Sequence, residues 1–127
     1  MLADFNIHLI RALSDALELK PTLFRASEMG VEGHGTDLLL NICKALGAKT
    51  YISGSGGRKY IENERFIQEG IELIYSSFLH PEYRQMHGSF EPGLSIIDFL
   101  FNVGVEAAGK WLTNRELDRA GMYGRQK

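Results

Sequence analysis

The feature that most constrains this chain is the run Ser53-Gly54-Ser55-Gly56-Gly57-Arg58-Lys59-Tyr60, set directly behind an apolar stretch and ahead of a helical pattern. Three glycines strip side-chain bulk from the backbone, so that its N–H groups can approach an anion, while Arg58 and Lys59 add positive charge. A phosphate or pyrophosphate is the natural guest. The spacing matches neither the dinucleotide fingerprint nor the P-loop, both of which place their glycines at other offsets. A plain βα connection, whose glycines only permit a tight turn, therefore stands open beside the anion-binding reading.

A turn of this kind implies a strand before it and a helix after it, and the flanking residues supply both. Thr50 to Ser53 reads as a buried strand, Glu62 to Glu69 as a short helix stopped by Gly70, and Ile71 to Phe78 as a further strand rich in apolar residues. Upstream, Leu2, Phe5, Leu9, Ile10, Leu13, Ala16 and Leu17 recur at helical spacing ahead of Pro21, which predicts an amphipathic helix over Leu2 to Leu17. Thr22 to Ala26 is short and bounded by Pro21 and Ser27, the outline of a strand. Thr36 is the expected N-cap of a second helix with the face Leu39, Ile42, Cys43 and Leu46, ended by Gly47. The order is β-α-β-α-β, which predicts an α/β fold: a three-layer-like domain with a short parallel sheet and additional helices at both ends. In such sheets ligands sit beyond the carboxyl ends of the strands, where the glycine-rich turn lies.

After the last strand, Leu79 to Gly93 has no regular pattern, and loops this long in compact domains tend to be functional. Ser95 and Asp98 have capping-box spacing in front of Phe99 to Val103, Gly104 breaks that helix, and Val105 to Leu117 can form another on Ala108, Trp111 and Leu112. Residues 1–117 are thus expected to make one domain, with Asp118 to Lys127 a flexible polar tail.

Bulk properties narrow the partners. The chain has 127 residues, 44% of them hydrophobic, with a formal net charge of -2. That charge gives no basic field of the kind that draws nucleic acid. No apolar run approaches the roughly 18 residues of a membrane span. One cysteine, Cys43, cannot pair internally, which fits a cytoplasmic, reducing location.

Three further groups can carry chemistry. His80 to Gly88 follows the last strand and is expected at the same sheet edge as the glycine-rich turn, with His80 as general base and Tyr83 and Gln85 orienting a polar ligand. His87 reads as an exposed residue. Ser95, Asp98 and Asn102 lie at i, i+3 and i+7, one polar stripe on an otherwise apolar helix. Capping explains the first two, which leaves Asn102 in need of a partner. His34, Asp37, His80 and His87 have no zinc spacing, so no metal is expected.

Thr36-Asp37-Leu38-Leu39, Tyr51-Ile52-Ser53-Gly54, Gly70-Ile71, His80-Pro81-Glu82-Tyr83-Arg84-Gln85 and the run from Phe90-Glu91-Pro92-Gly93 to Phe101-Asn102, taken in order, resemble the WbqC-like protein family over Ser27 to Gly104. The resemblance implies a place in bacterial surface polysaccharide biosynthesis, especially the O-antigen of lipopolysaccharide. For this family a transfer of glycine onto an amino-sugar nucleotide has been suggested. It implies a group transferase in which Ser53, Gly54, Ser55, Gly56, Gly57, Arg58, Lys59 and Tyr60 hold the diphosphate of a nucleotide-sugar, or another phosphate-containing small molecule. His80, Tyr83 and Asp98 would then stand at the acceptor, with Gln85 and Asn102 binding substrate. No cofactor is implied. Members typically carry an additional amino-terminal half opening with a His-Gln-Pro-type motif, whereas this chain begins at the helix Leu2 to Leu17, which implies a truncated member or a carboxy-terminal fragment. A non-catalytic binding module, and an oligomer-forming piece, are the alternatives that follow.

Overall fold

The computed structural model describes residues 2–78 and 80–114. They form a small α/β protein whose described residues gather in two compact units, 2–22 with 80–114 and 23–78. The expected tail, 118–127, lies outside the described residues, as do residues 115–117 of the helix expected over Val105 to Leu117.

The unit 23–78 is built on helix α2 (Gly35–Ala45), strand β1 (Thr50–Gly54), helix α3 (Asn63–Gln68) and strand β2 (Glu72–Ser76), with a 3-10 turn, Ser55–Lys59, joining β1 toward α3. The strands pair in parallel from Thr50 opposite Glu72 to Gly54 opposite Ser76. Both strands therefore end together, beside the glycine-rich turn. The core between sheet and helices consists of Leu40, Cys43, Ile61, Phe66, Ile71 and Tyr75, with Tyr51 stacked on Phe66 at 5.4 Å between ring centres. Burial pushes the Cys43 thiol and the Tyr51 phenol above their ordinary pKa values, the latter with smaller contributions from Tyr60, Cys43 and Tyr75.

Two expectations in this unit are corrected. The expected strand Thr22 to Ala26 does not form. Leu23 and Phe24 are exposed, a 3-10 turn follows over Ala26–Glu28, and Arg25 bonds Glu28 at 3.1 Å, an i,i+3 contact that favours a turn over extended chain. The sheet accordingly has two strands among the described residues. Nor is Thr36 an N-cap: His34 holds that position, and Thr36 is buried inside the first turn, where its Oγ1 accepts a hydrogen bond from the Glu62 amide at 3.2 Å. A residue type that suits a cap has been used to tie α2 to the start of α3.

The unit 2–22 with 80–114 contains α1 (Leu2–Ala16), the irregular loop after residue 79, α4 (Ile96–Val103) and α5 (Val105–Asn114). Ser95 caps α4 as its sequence predicts, its Oγ accepting from the Ile97 amide at 3.2 Å. Gly104, at φ 82°, separates α4 from α5. The core is small and aromatic: Leu17, Phe99 and Ala108 are buried, with Tyr83, Leu100, Val103, Trp111 and Leu112 packed around them.

Candidate functional site

The glycine-rich turn belongs to one unit and the histidine-containing loop to the other, and each has its own internal geometry. In the turn the three glycines divide into two kinds. A Cβ on Gly54 or Gly56 would meet nothing within 4 Å, so the backbone there faces open space. A Cβ on Gly57 would overlap Ser53 Oγ and stand 2.9 Å from Ile61 Cδ1, so both side chains would have to shift to admit one. Gly57 is buried, Ser53 lies beneath it with its hydroxyl donating to the Gly54 carbonyl at 3.1 Å, and the Gly57 carbonyl accepts from the Tyr60 and Ile61 amides. Packing under Gly57 thus fixes the turn, while Gly54, Ser55 and Gly56 present the first backbone N–H groups of a 3-10 turn, which have no partner within it.

The charges on this turn also divide. The Arg58 guanidinium lies 4.3 Å from the centre of the Tyr75 ring, whose hydroxyl donates to Asn63 Oδ1 at 2.7 Å. Arg58 is drawn over the sheet by a cation–π contact. Lys59 and Tyr60 are exposed beyond it.

In the other unit the structure brings Tyr83, Gln85, Asp98 and Asn102 together around one carboxylate. Tyr83 donates its hydroxyl to Asp98 Oδ2 at 2.5 Å, Gln85 Nε2 approaches the same oxygen at 3.3 Å, and Asn102 Nδ2 donates to Asp98 Oδ1 at 3.2 Å and to the Asp98 carbonyl at 2.8 Å. The need of Asn102 for a partner is met one turn back along its own helix. Asp98 spends its carboxylate on these donors rather than completing a capping box with Ser95. The Asp98 hydrogen bond, only partly opposed by Gln85, raises the Tyr83 phenol above its ordinary pKa. Tyr83 therefore stays protonated at neutral pH and is a donor, not a base.

Gln85 also clasps the backbone of Glu91 from both sides. Its Oε1 accepts from the Glu91 amide at 2.8 Å and its Nε2 donates to the Glu91 carbonyl at 3.0 Å, closing the loop on itself. Tyr83 is wedged between Phe90 and Phe99, with ring centres 5.3 and 5.0 Å away, and Phe99 meets Trp111 edge-on at 5.5 Å. Arg84, Gln85, Met86 and Asn102 line a shallow hollow of about 340 Å³ beside this network. Sequence reading missed Glu91 and Phe90, because a side chain clasping the backbone six residues on leaves no periodic signal. His80 and His87 are both exposed. Among the described residues no three His, Cys, Asp or Glu side chains gather as a metal-ligand set, and no helix is long and apolar enough to cross a membrane.

Comparison with known proteins gives this geometry a context. A model of the WbqC-like protein family matches residues 1–110, so the match reaches past the segment Ser27 to Gly104 and takes in α1. The uncharacterized protein Rv1507c of Mycobacterium tuberculosis (strain ATCC 25618 / H37Rv) is 32% identical over 107 residues, covering 84% of this chain and 46% of that protein. The chain thus spans about half the length of the curated relative it matches. No solved structure matches it.

Proposed function

Given that this chain belongs to the WbqC-like protein family, we propose that it acts in the cytoplasm in building bacterial surface polysaccharide, the O-antigen in particular, by binding a nucleotide-linked amino sugar that receives an aminoacyl group. The observation that carries this reading is the open backbone of Gly54 and Gly56 at the carboxyl end of β1, held in place by Gly57 packed on Ser53. An anion placed there meets backbone N–H groups with no intervening side chain, and the exposed Lys59 follows three residues after Gly56. The diphosphate of a nucleotide-sugar has the charge and size for that seat.

In the transfer, an amide bond forms between the amine nitrogen and the acyl carbon of an activated aminoacyl donor, and the bond from that carbon to its leaving group breaks. The amine must be neutral to attack, and its proton passes to a base, for which His80 is our choice. Tyr83 and Asp98 serve as positioning groups for the loop that carries His80, since both are engaged with each other. Backbone N–H groups would stabilise the developing oxyanion. A second reading, a module that binds without turnover, draws on the same network: the Asp98 carboxylate is occupied by three donors and is not available as a base.

Calorimetry and a product assay separate these readings. A nucleoside-diphosphate sugar should bind the full chain, and Lys59→Ala should weaken it about tenfold through loss of a charge-assisted contact. Absence of binding by any nucleotide-sugar, or equal affinity in Lys59→Ala, would remove the turn from the reading. If an activated amino acid gives product, His80→Ala should slow the reaction and leave sugar affinity unchanged. Binding without product would leave the module.

A further inference from the structure

Helix α1 has fifteen residues and an apolar stripe, yet none of its residues is buried. Helices of this length in proteins owe most of their stability to packing of the apolar face, so an uncovered stripe calls for a partner. Leu2 is 73% and Phe5 58% exposed, and Leu9 and Ile10 continue the same face about two turns beyond Leu2. The stripe runs into a second apolar surface within the same unit. Leu13 of α1, Ile97 and Leu100 of α4 and Val105 of α5 line a hollow of about 360 Å³, with Phe101 on its rim. Phe101 itself is 88% exposed.

A hollow and a protruding ring on one surface are a matched pair when that surface meets a copy of itself. In a two-fold dimer every contact occurs twice, so Phe101 of each protomer can enter the hollow of its partner at no cost in symmetry. The area agrees. Seven apolar side chains of the stripe and the hollow, from Leu9 at 37% to Phe101 at 88%, are exposed, and together they present an area of the order that each partner contributes to a standard stable interface, roughly 800 Å². A contiguous apolar patch of that size exceeds what monomers ordinarily leave open. We infer that the face formed by α1 and Phe101 is a homodimer interface in which Phe101 of one protomer fills the Leu13–Ile97–Leu100–Val105 hollow of the other.

Because Phe101 packs against so little of its own protomer, its replacement tests association without endangering the fold. Light scattering and sedimentation of the full chain should give twice the 14.3 kDa chain mass. Phe101→Asp should weaken the dimer about 30-fold or more, as loss of an anchoring aromatic does, with an unchanged circular dichroism spectrum. Phe101→Leu should keep the dimer, while Ile67→Asp, at an equally exposed apolar residue of the other unit, should not affect it. A wild-type monomer at all concentrations, a dimer that survives Phe101→Asp, or dissociation by Ile67→Asp would each overturn the inference. Assemblies growing past two chains would do so as well, since a closed two-fold interface cannot propagate.

Discussion

The two units of this protein hold an irregular segment in opposite ways. In 23–78 the glycine-rich turn rests on a dry core: Ser53 and Gly57 are pressed against Ile61, below which Phe66 is wholly buried. In the other unit the loop around Tyr83 rests on a polar hub, with three side chains donating to Asp98 and only a small aromatic cluster beneath. Close packing tolerates no added atom, whereas a hydrogen-bonded hub tolerates changes of size and suffers from changes of charge. The first arrangement suits a fixed backbone shape offered to a ligand. The second suits a loop whose position depends on a single carboxylate.

The sharpest way to break this comparison is to add one carbon under the turn. Gly57→Ala places a methyl group against Ser53 Oγ and Ile61 Cδ1, and is expected to cost about 1–3 kcal/mol, the range for overpacking a filled site. The double variant Ser53→Gly/Gly57→Ala removes the nearest obstacle and should recover much of that loss, a coupling that urea denaturation of the four members of the cycle would measure. Additive effects would mean that the turn is not seated as described.

A smaller effect, of a different kind, is expected at the hub. Asp98→Asn keeps the shape but removes the charge that three donors share, and should cost about 1–1.5 kcal/mol, the margin by which a hydrogen bond to a charged group exceeds one to a neutral group. Its signature is in tyrosine titration. Tyr83 and Tyr51 both have raised pKa values, Tyr83 through its bond to Asp98 and Tyr51 through burial. A phenol whose value is raised by folding keeps its proton where the unfolded chain would lose it. Its contribution to stability is therefore complete below about pH 10, the ordinary tyrosine value, and is lost as pH rises through the folded-state value. With ring-labelled tyrosine followed by NMR, Asp98→Asn should return Tyr83 toward its ordinary value and leave Tyr51 where it was. A Tyr83 that does not move would show that the carboxylate is not its partner in solution.

What the sequence disclosed and what it hid follow the same division. Signals confined to a few neighbouring residues were legible: the presence of α2, the stops at Gly47 and Gly70, the Ser95 cap and the break at Gly104, whereas the buried face of α2 is centred on Leu40 and Cys43 and leaves the expected Leu46 exposed. Features that depend on a distant partner were not. Thr36 has the chemistry of a cap, and only the Glu62 amide, 26 residues away, makes it an internal tie. Thr22 to Ala26 is short and apolar, an outline that strand and irregular chain share. In the candidate site, the stripe Ser95, Asp98 and Asn102 was visible from helical spacing, but the convergence of Tyr83 and Gln85 on it required the loop to double back, which Gln85 secures through Glu91. The different duties of Gly54, Gly56 and Gly57 are likewise set by what lies beneath each of them.

The smallest expected effect sharpens the contrast at the ends of helices. α1, α2 and α3 finish in the same way, the second residue beyond each helix turning left-handed while paired amide-to-carbonyl bonds close the last turn. In 23–78 that residue is glycine, Gly47 at φ 61° and Gly70 at φ 67°. In the other unit it is Glu18 at φ 57°, with its amide bonded to the Asp15 carbonyl and the Leu19 amide to the Ser14 carbonyl. The left-handed region costs a residue with a Cβ about 1–2 kcal/mol, of which glycine returns part through its greater freedom in the unfolded chain. Glu18→Gly should therefore stabilise the protein by about 0.5–1 kcal/mol, read as a rise in denaturation midpoint at constant slope. Gly47→Glu, the converse change in the other unit, should lower it by a similar amount. Should Glu18→Gly instead destabilise, the Glu18 side chain must make a contact in solution that outweighs its backbone strain, and the helix end would then owe its shape to packing, as the glycine-rich turn does.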